Sequence, residues 1–117
     1  NAVAAVSNLT VVEAFKKYSD YKFNLWNTYN SLTEHQAKLY INRFKNWILP
    51  YFPKNILLRN LASQDLKDFF IVLLTKGYTW KQTKTLIYSF KGMFEWCILE
   101  KLARREDYSI EYFELNK

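Results

Sequence analysis

Apolar side chains repeat at helical spacing in four separate segments of the chain. In the second segment they recur at i, i+4, i+7 and i+11, which places them on one face of a helix: Ala37, Ile41, Phe44 and Ile48. The pattern predicts four helices, over 10–24 or a few residues beyond, from 31 or 33 to 50, over 64–76, and over 80–103. No segment alternates in the way a half-buried strand requires, so we expect an all-α fold built as a compact four-helix bundle.

Capping residues mark most of these boundaries. The tetrapeptides that begin at Thr10, Ser31 and Thr79 each end in Glu or Gln, which is the capping-box pattern. Ser63 is the expected N-cap of the third helix, with Asp65 in its first turn, and Gly77 fits the left-handed position after its last turn. In the second helix, Pro50 is expected to end or kink the chain. In the fourth, Gly92 lies opposite the apolar face and allows another group to approach closely.

The composition excludes several classes of protein. The chain has 117 residues, half of them apolar, with only two glycines and two prolines. Such scarcity argues against β sandwiches and Gly-rich phosphate loops, and the apolar content argues against disorder. No apolar run is long enough to cross a membrane. Residues 1–9 are expected to be a disordered arm or a cloning remnant, and the protein is expected to be cytoplasmic.

Charge is distributed unevenly along the chain. The formal net charge is +6, but residues 31–105 carry 13 Lys or Arg against 5 Asp or Glu, whereas residues 106–117 carry one Lys against four acids. A basic body of this kind indicates a polyanionic partner, with nucleic acid the first candidate and an anionic membrane surface the second. A merely basic soluble protein is the alternative at this point.

Two of the predicted helices present basic stripes with hydrogen-bonding side chains. At about 100° per residue, the polar positions of the second helix cluster away from its apolar face, and those of the fourth fall within an arc of about 80°. Lys and Arg neutralise phosphates, while Asn, Gln and Thr bond to base edges or phosphates. The predicted DNA-binding residues are Lys38, Asn42, Arg43, Lys45, Lys81, Gln82, Lys84, Thr85, Tyr88 and Lys91.

Catalytic and metal-binding chemistry is not indicated. His35 has no nucleophile in a recognisable motif and is expected to be a surface or capping residue. Cys97 lies on the apolar face, which indicates a buried structural thiol, and one Cys with one His cannot complete a zinc site. Asp65 and Asp68 are expected to interact with the helix dipole. The sequence therefore predicts no enzyme activity, no metal and no cofactor for this chain.

The order of these segments resembles the core-binding domain of the tyrosine recombinases, the phage-integrase family. Residues 40–52 combine a Tyr, an apolar residue four positions on, and a terminal Pro-x-Phe. The other stretches that are similar to the family are 33–40, 58–69, 77–83, Phe90, Phe94 and 100–102. The resemblance covers 31–105. The Gly that the family usually has near Pro53 and its Asn-Pro after the last helix do not occur here.

This resemblance implies a SAM-like orthogonal bundle over 10–105 that binds duplex DNA as one jaw of a clamp. The helices that correspond to the second and fourth cross the DNA, at positions that match Lys38, Asn42, Lys45, Lys81, Lys84 and Tyr88. The family's catalytic residues lie in a separate domain, so 106–117 is expected to be an extended linker toward a domain that this chain lacks. The parent protein is expected to recombine DNA as a tetramer, without metal or cofactor, and the fragment to be monomeric.

Two other functions are compatible with the sequence. One is a helical protein–protein interaction module that uses Trp96, Leu99, Tyr112 and Phe113 as an apolar contact surface. The other is a helix-turn-helix regulator, which the length of the fourth helix and the missing short turn disfavour.

Overall fold

A computed structural model describes residues 8–104 and confirms an all-α compact bundle. Its four main helices are α1 (Val11–Asn27), α2 (Glu34–Arg43), α3 (Ser63–Thr75) and α4 (Trp80–Leu99). Within the described range there is no strand, only an isolated bridge between Thr10 and Leu57. Of the expected N-terminal arm, residues 8 and 9 are described. The predicted linker over 106–117 lies outside the described residues.

The first helix begins and ends close to its predicted bounds. Thr10 is the N-cap: its hydroxyl accepts a hydrogen bond from the Glu13 amide (3.1 Å), and the Glu13 carboxylate accepts one from the Thr10 amide (2.9 Å). Hydrogen bonds from Thr10 to the charged carboxylate, first of all from its backbone amide, hold the pKa of Glu13 below its usual value. The helix continues to Asn27, and Asn30, with a φ of 57°, turns the chain toward α2.

The N-cap of α2 is Thr33, so the capping box expected at Ser31 is wrong. The Thr33 hydroxyl accepts from the Gln36 amide (3.1 Å), and the Gln36 side chain accepts from the Thr33 amide (3.1 Å). Both candidates satisfy the sequence pattern, but the amide of Ser31 donates to the carbonyl of Leu25 at 2.7 Å and so belongs to the preceding turn.

Beyond Arg43 the helix widens into a π-helical segment, Phe44–Ile48, and ends in one further turn, Leu49–Tyr51. In the π segment the amide of Leu49 donates to the carbonyl of Phe44, five residues earlier. Pro50 has no amide proton, and its ring clashes with the carbonyl four residues back in a regular helix. The wider winding just before Pro50 relieves that contact, and the helix ends one residue after it.

The start of α3 differs from the prediction by one residue. Ala62, not Ser63, is the N-cap, and Ser63 is the first helical residue. The capping interaction comes from Asp65, whose carboxylate accepts from the Ala62 amide at 2.9 Å. At the other end Gly77 adopts a φ of 99°, and the amides of Gly77 and Tyr78 donate to Leu74 and Leu73, which is the predicted left-handed cap.

The fourth helix is capped as predicted but ends earlier. Thr79 and Gln82 form the expected capping box. The helix stops at Leu99 rather than near 103, because Lys101 adopts a left-handed φ of 61° and the amide of Leu102 turns back to the carbonyl of Cys97 at 2.7 Å. This is the same type of helix end that Gly77 provides for α3, here with a residue that has a Cβ atom.

Aromatic rings fill the centre of the bundle. Phe90 of α4 lies 5.4 Å from Phe15, 5.2 Å from Phe52 and 5.9 Å from Phe69, measured between ring centroids. These rings come from all four helical regions and are almost completely buried. Helix α1 packs against α2 and α4, and α3 packs against α4. This arrangement leaves α2 and α4 with α1 as a shared partner.

Candidate nucleic-acid interface

An open groove lies between α2, with the π segment that follows it, and the first turns of α4. It encloses about 310 Å³, and its lining residues are Leu39, Asn42, Arg43, Asn46, Trp47, Lys81, Gln82 and Thr85. Five of the ten residues predicted to bind DNA therefore meet at one groove. The two basic stripes, which are separated by about 40 positions along the chain, are adjacent in the fold.

The α2 wall of the groove combines two amide side chains with two apolar ones. Asn42 and Asn46 are exposed and four residues apart, so they project from the same side of the helix. Leu39 is 38% exposed. Trp47 is half-buried and held against Tyr78, with the ring centroids 5.1 Å apart. Trp47 therefore packs against the core and also lines the groove.

The α4 wall consists of the exposed first turns of that helix. Lys81 projects there without a carboxylate among the groove-lining residues. The Gln82 side-chain oxygen is already used by the cap of α4, at 2.9 Å from the Thr79 amide, so its amide nitrogen is the group left for a ligand. The Thr85 hydroxyl donates to the Lys81 carbonyl at 3.0 Å. Of these side chains, Lys81 carries the charge.

Arg43 joins the two walls. Its Nη1 donates to the Ser89 hydroxyl of α4 at 3.2 Å, and its guanidinium carbon lies 5.1 Å from the centroid of the Tyr40 ring. Arg43 is half-buried, unlike the exposed lysines around it. The sequence predicted Arg43 as a DNA ligand, whereas the structure engages its side chain within the protein.

The remaining five predicted residues do not line the groove. Lys45 and Lys91 are exposed on α2's π segment and on α4. Lys84 is half-buried, with its ammonium 5.8 Å from the ring centroid of Tyr88, which is itself 45% exposed. Lys38 forms an ion pair with Glu34 at 2.8 Å, so part of its charge is compensated.

Sequence reasoning missed four residues at or beside the groove. Leu39, Asn46 and Trp47 line it, and Ser89 receives the bond from Arg43. Asn46 and Trp47 belong to the π segment, whose position around the helix is shifted from that of a regular helix. Ser89 could have been found only from the distance between α2 and α4, which no local pattern contains.

The other three tryptophans are used in packing. Trp80 stands edge-on to Phe70, with centroids 4.8 Å apart, and Trp96 stacks on Tyr21 at 5.1 Å. Trp26 packs edge-on against Phe23. Among the tryptophans, therefore, only Trp47 lines the groove.

The residues that were considered for catalysis or metal binding lie in the core, on the helix surface or at a helix cap. Cys97 is fully buried and beside Met93, and burial raises the pKa of its thiol to about 12. His35 is exposed in the first turn of α2, Asp65 caps α3, and Asp68 accepts from Gln64 at 2.9 Å. Across residues 8–104, no three His, Cys, Asp or Glu side chains are grouped so that they could hold a metal ion. In the same range no helix has the length and apolar character that a membrane crossing needs.

Comparison with known proteins adds no relative. No family model matches the chain, and no curated protein or solved structure matches it either. The resemblance to the integrase core-binding domain accordingly rests on the residues quoted above, and the argument for function rests on the groove.

Proposed function

We propose that this chain is a duplex-DNA-binding module that holds the sugar-phosphate backbone of one strand in the groove between α2 and α4. The observation that carries the proposal is the meeting of Asn42 and Asn46 with Lys81 and Thr85 at a groove whose lining contains no carboxylate. Two stripes deduced from separate helices thus form one surface.

The chemistry of the groove suits a phosphate backbone better than it suits base edges. A strand of duplex DNA is a convex ridge, which a groove between two helices can accommodate. Lys81 lines the groove, and Lys45, Lys84 and Lys91 lie on the helical elements that form its walls; these cations can neutralise phosphates and release counterions. Asn and Thr side chains add hydrogen bonds that position the strand. Binding is therefore expected to depend strongly on salt and weakly on base sequence.

A more specific form of the proposal assigns the module to a tyrosine recombinase. In that assignment it is the core-binding jaw of a DNA clamp, and a separate domain of a longer protein performs the strand exchange, within a tetramer on DNA. The support is the resemblance of residues 31–105 together with the all-α bundle. The full reading frame provides a direct test, because a following domain with the pattern Arg…His-x-x-Arg…Tyr is expected.

The DNA-binding proposal is tested by fluorescence anisotropy on a labelled duplex of about 25 base pairs, titrated between about 50 and 200 mM salt. Charge reversal at two positions, Lys45→Glu with Lys84→Glu, is expected to weaken binding to all duplexes alike. The slope of log affinity against log salt is expected to fall by about two, since each lost phosphate contact removes about 0.9.

A matched control reverses the same amount of charge elsewhere. Lys17→Glu with Lys54→Glu changes two exposed residues, one on α1 and one in the segment between Tyr51 and α3. Neither residue lines the groove. This control is expected to retain most of the affinity and the wild-type slope. Equal losses in both double variants, or no binding by the wild type at the lowest salt, would contradict the proposal.

A protein-interaction module is the second candidate, and the exposure of two aliphatic side chains favours it. Leu99 is 81% exposed at the end of α4, and Ile71 is 60% exposed on α3. Trp96, expected in this contact surface, packs on Tyr18 and Tyr21, while Tyr112 and Phe113 lie outside the described residues. Association with a protein that is insensitive to salt, without any DNA binding at low salt, would favour this function.

A further inference from the structure

The bond between Arg43 and Ser89 links the two walls of the groove directly. Ser89 donates its own proton to the Thr85 carbonyl at 3.1 Å, which leaves the hydroxyl oxygen oriented to accept from Arg43 at 3.2 Å. The two partners are 46 positions apart in the chain. The bond therefore connects α2 to α4, two helices that are distant from each other in the sequence.

The other side of the Arg43 guanidinium is fixed by Tyr40. That ring stands edge-on to Tyr18 of α1, at 5.6 Å between centroids. The Ser19 hydroxyl of α1 donates to the Phe15 carbonyl at 2.9 Å and also lies 3.3 Å from the Tyr40 carbonyl. Tyr40 is therefore anchored to α1, and Arg43 lies between an anchored ring and α4. A planar guanidinium that stacks and donates at the same time has few orientations open to it.

The packing of the bundle explains why such a link is needed. The principal helix contacts join α1 to α2, α1 to α4 and α3 to α4. Because α2 and α4 are connected mainly by their packing on α1, the distance between their exposed sides depends on the side-chain contacts that cross the groove. Arg43 is the lining residue that does so, through its bond to Ser89.

We propose that Arg43 is a positioning residue, which sets the separation of the groove walls through Ser89, while the exposed lysines make the phosphate contacts. This inference rests on the proposed DNA-binding function. It replaces the role of direct DNA ligand that the sequence suggested for Arg43. It also assigns a role in binding to Ser89, which the sequence did not suggest.

Salt titration separates the two roles of Arg43. Ser89→Ala removes the acceptor without changing any charge, and it is expected to weaken binding by about three- to tenfold at every salt concentration with the wild-type slope. Arg43→Met is expected to give a similar loss, again with a nearly unchanged slope. Ser89→Thr keeps the hydroxyl and is expected to bind as the wild type does. Urea denaturation of each variant ensures that folded proteins are compared.

Wild-type affinity in Ser89→Ala would overturn the inference. So would a fall of about one in the salt slope of Arg43→Met, which is the signature of a lost phosphate contact.

A second measurement does not depend on DNA. Spin labels at Asn46→Cys and Lys81→Cys report the distance across the groove, because the buried Cys97 is not labelled in the folded chain. The distance distribution is expected to broaden in Ser89→Ala, and an unchanged distribution would overturn the inference. If the wild type fails to bind any duplex, the proposed function is wrong, and the spin-label distances still decide whether Arg43 positions the walls.

Discussion

The hydroxyl oxygen of Tyr18 lies 3.0 Å from the point where a Cβ atom on Gly92 would stand. The end of a side chain from α1 therefore occupies the space beside a residue of α4 that has no side chain. The close approach expected at Gly92 is confirmed, but the approaching group belongs to this chain and not to a ligand. Tyr18 is buried there, and desolvation, with its hydrogen bond to Tyr40, raises the pKa of its phenol.

Gly92→Ala is expected to show two opposing effects. Alanine gains about 1 kcal/mol over glycine in a helix interior, but the added methyl group forces Tyr18 to move. In the wild-type background we expect no net gain in the free energy of unfolding. In the Tyr18→Phe background, which removes the contacting oxygen, the same change is expected to stabilise by about 1 kcal/mol. Urea denaturation of the four proteins measures the coupling, and identical effects in both backgrounds would exclude this contact as the cause.

Lys101→Gly is expected to stabilise the fold by about 0.5–1 kcal/mol, because a residue with a Cβ atom is strained in the left-handed region that Lys101 occupies. Glu100→Gly is the matched control, since Glu100 has a φ of −87° and gains nothing from glycine. Thermal denaturation checks both variants. A stabilised Glu100→Gly or a destabilised Lys101→Gly would show that this strain is absent.

Cys97 is expected to resist thiol reagents in the folded chain. It is fully buried, and burial raises its pKa to about 12. A thiol-reactive dye at pH 8 is expected to label it only in denaturant. Since the folded pKa is the higher one, the thiol's contribution to stability is complete below the unfolded value of about 8.5 and declines as the pH rises toward 12. Cys97→Ala is expected to lose that part of the alkaline pH dependence. Rapid labelling without denaturant would contradict the buried position.

Glu34→Gln is expected to increase DNA affinity severalfold under the proposed function. The change releases Lys38 from its ion pair and removes a negative charge from the first turn of α2. Stability is expected to change by less than about 0.5 kcal/mol, because an exposed pair contributes little. Asp20→Asn is the control, since it breaks the equally exposed pair with Lys16 on α1. Anisotropy at low salt compares the two, and an equal gain in both would indicate net charge alone.

The helices and their buried faces were predictable because each depends on residues within one or two turns. The apolar spacing placed Phe15, Phe69 and Phe90 inside, and the capping pattern located the starts of α1 and α4 correctly. The errors at the helix starts lie where two local solutions compete: Ser31 against Thr33, and Ser63 against Ala62. In both places the choice depends on the turn that leads into the helix.

The groove was predictable only in part. Helical spacing found both stripes, since each lies on a single helix. The role of Arg43 depends on Ser89, and the position of Trp47 depends on Tyr78, partners that periodicity cannot identify. The bond of Gln82 to the Thr79 amide, by contrast, follows from the capping-box pattern, and the Glu34–Lys38 pair is an i,i+4 contact within one helix.

The π-helical segment Phe44–Ile48 means that the chain contains one residue more at this point than uninterrupted α winding would need. Elsewhere in a helix, deletion of a residue rotates everything beyond it by about 100° and misplaces the buried side chains. Here a deletion can be absorbed by a return to ordinary winding, so Phe44 and Ile48 can both stay in the interior. Shortening the backbone at this point would then alter the groove through Asn46 and Trp47 while sparing the hydrophobic centre. The groove wall is thereby free to vary in length independently of the architecture beneath it.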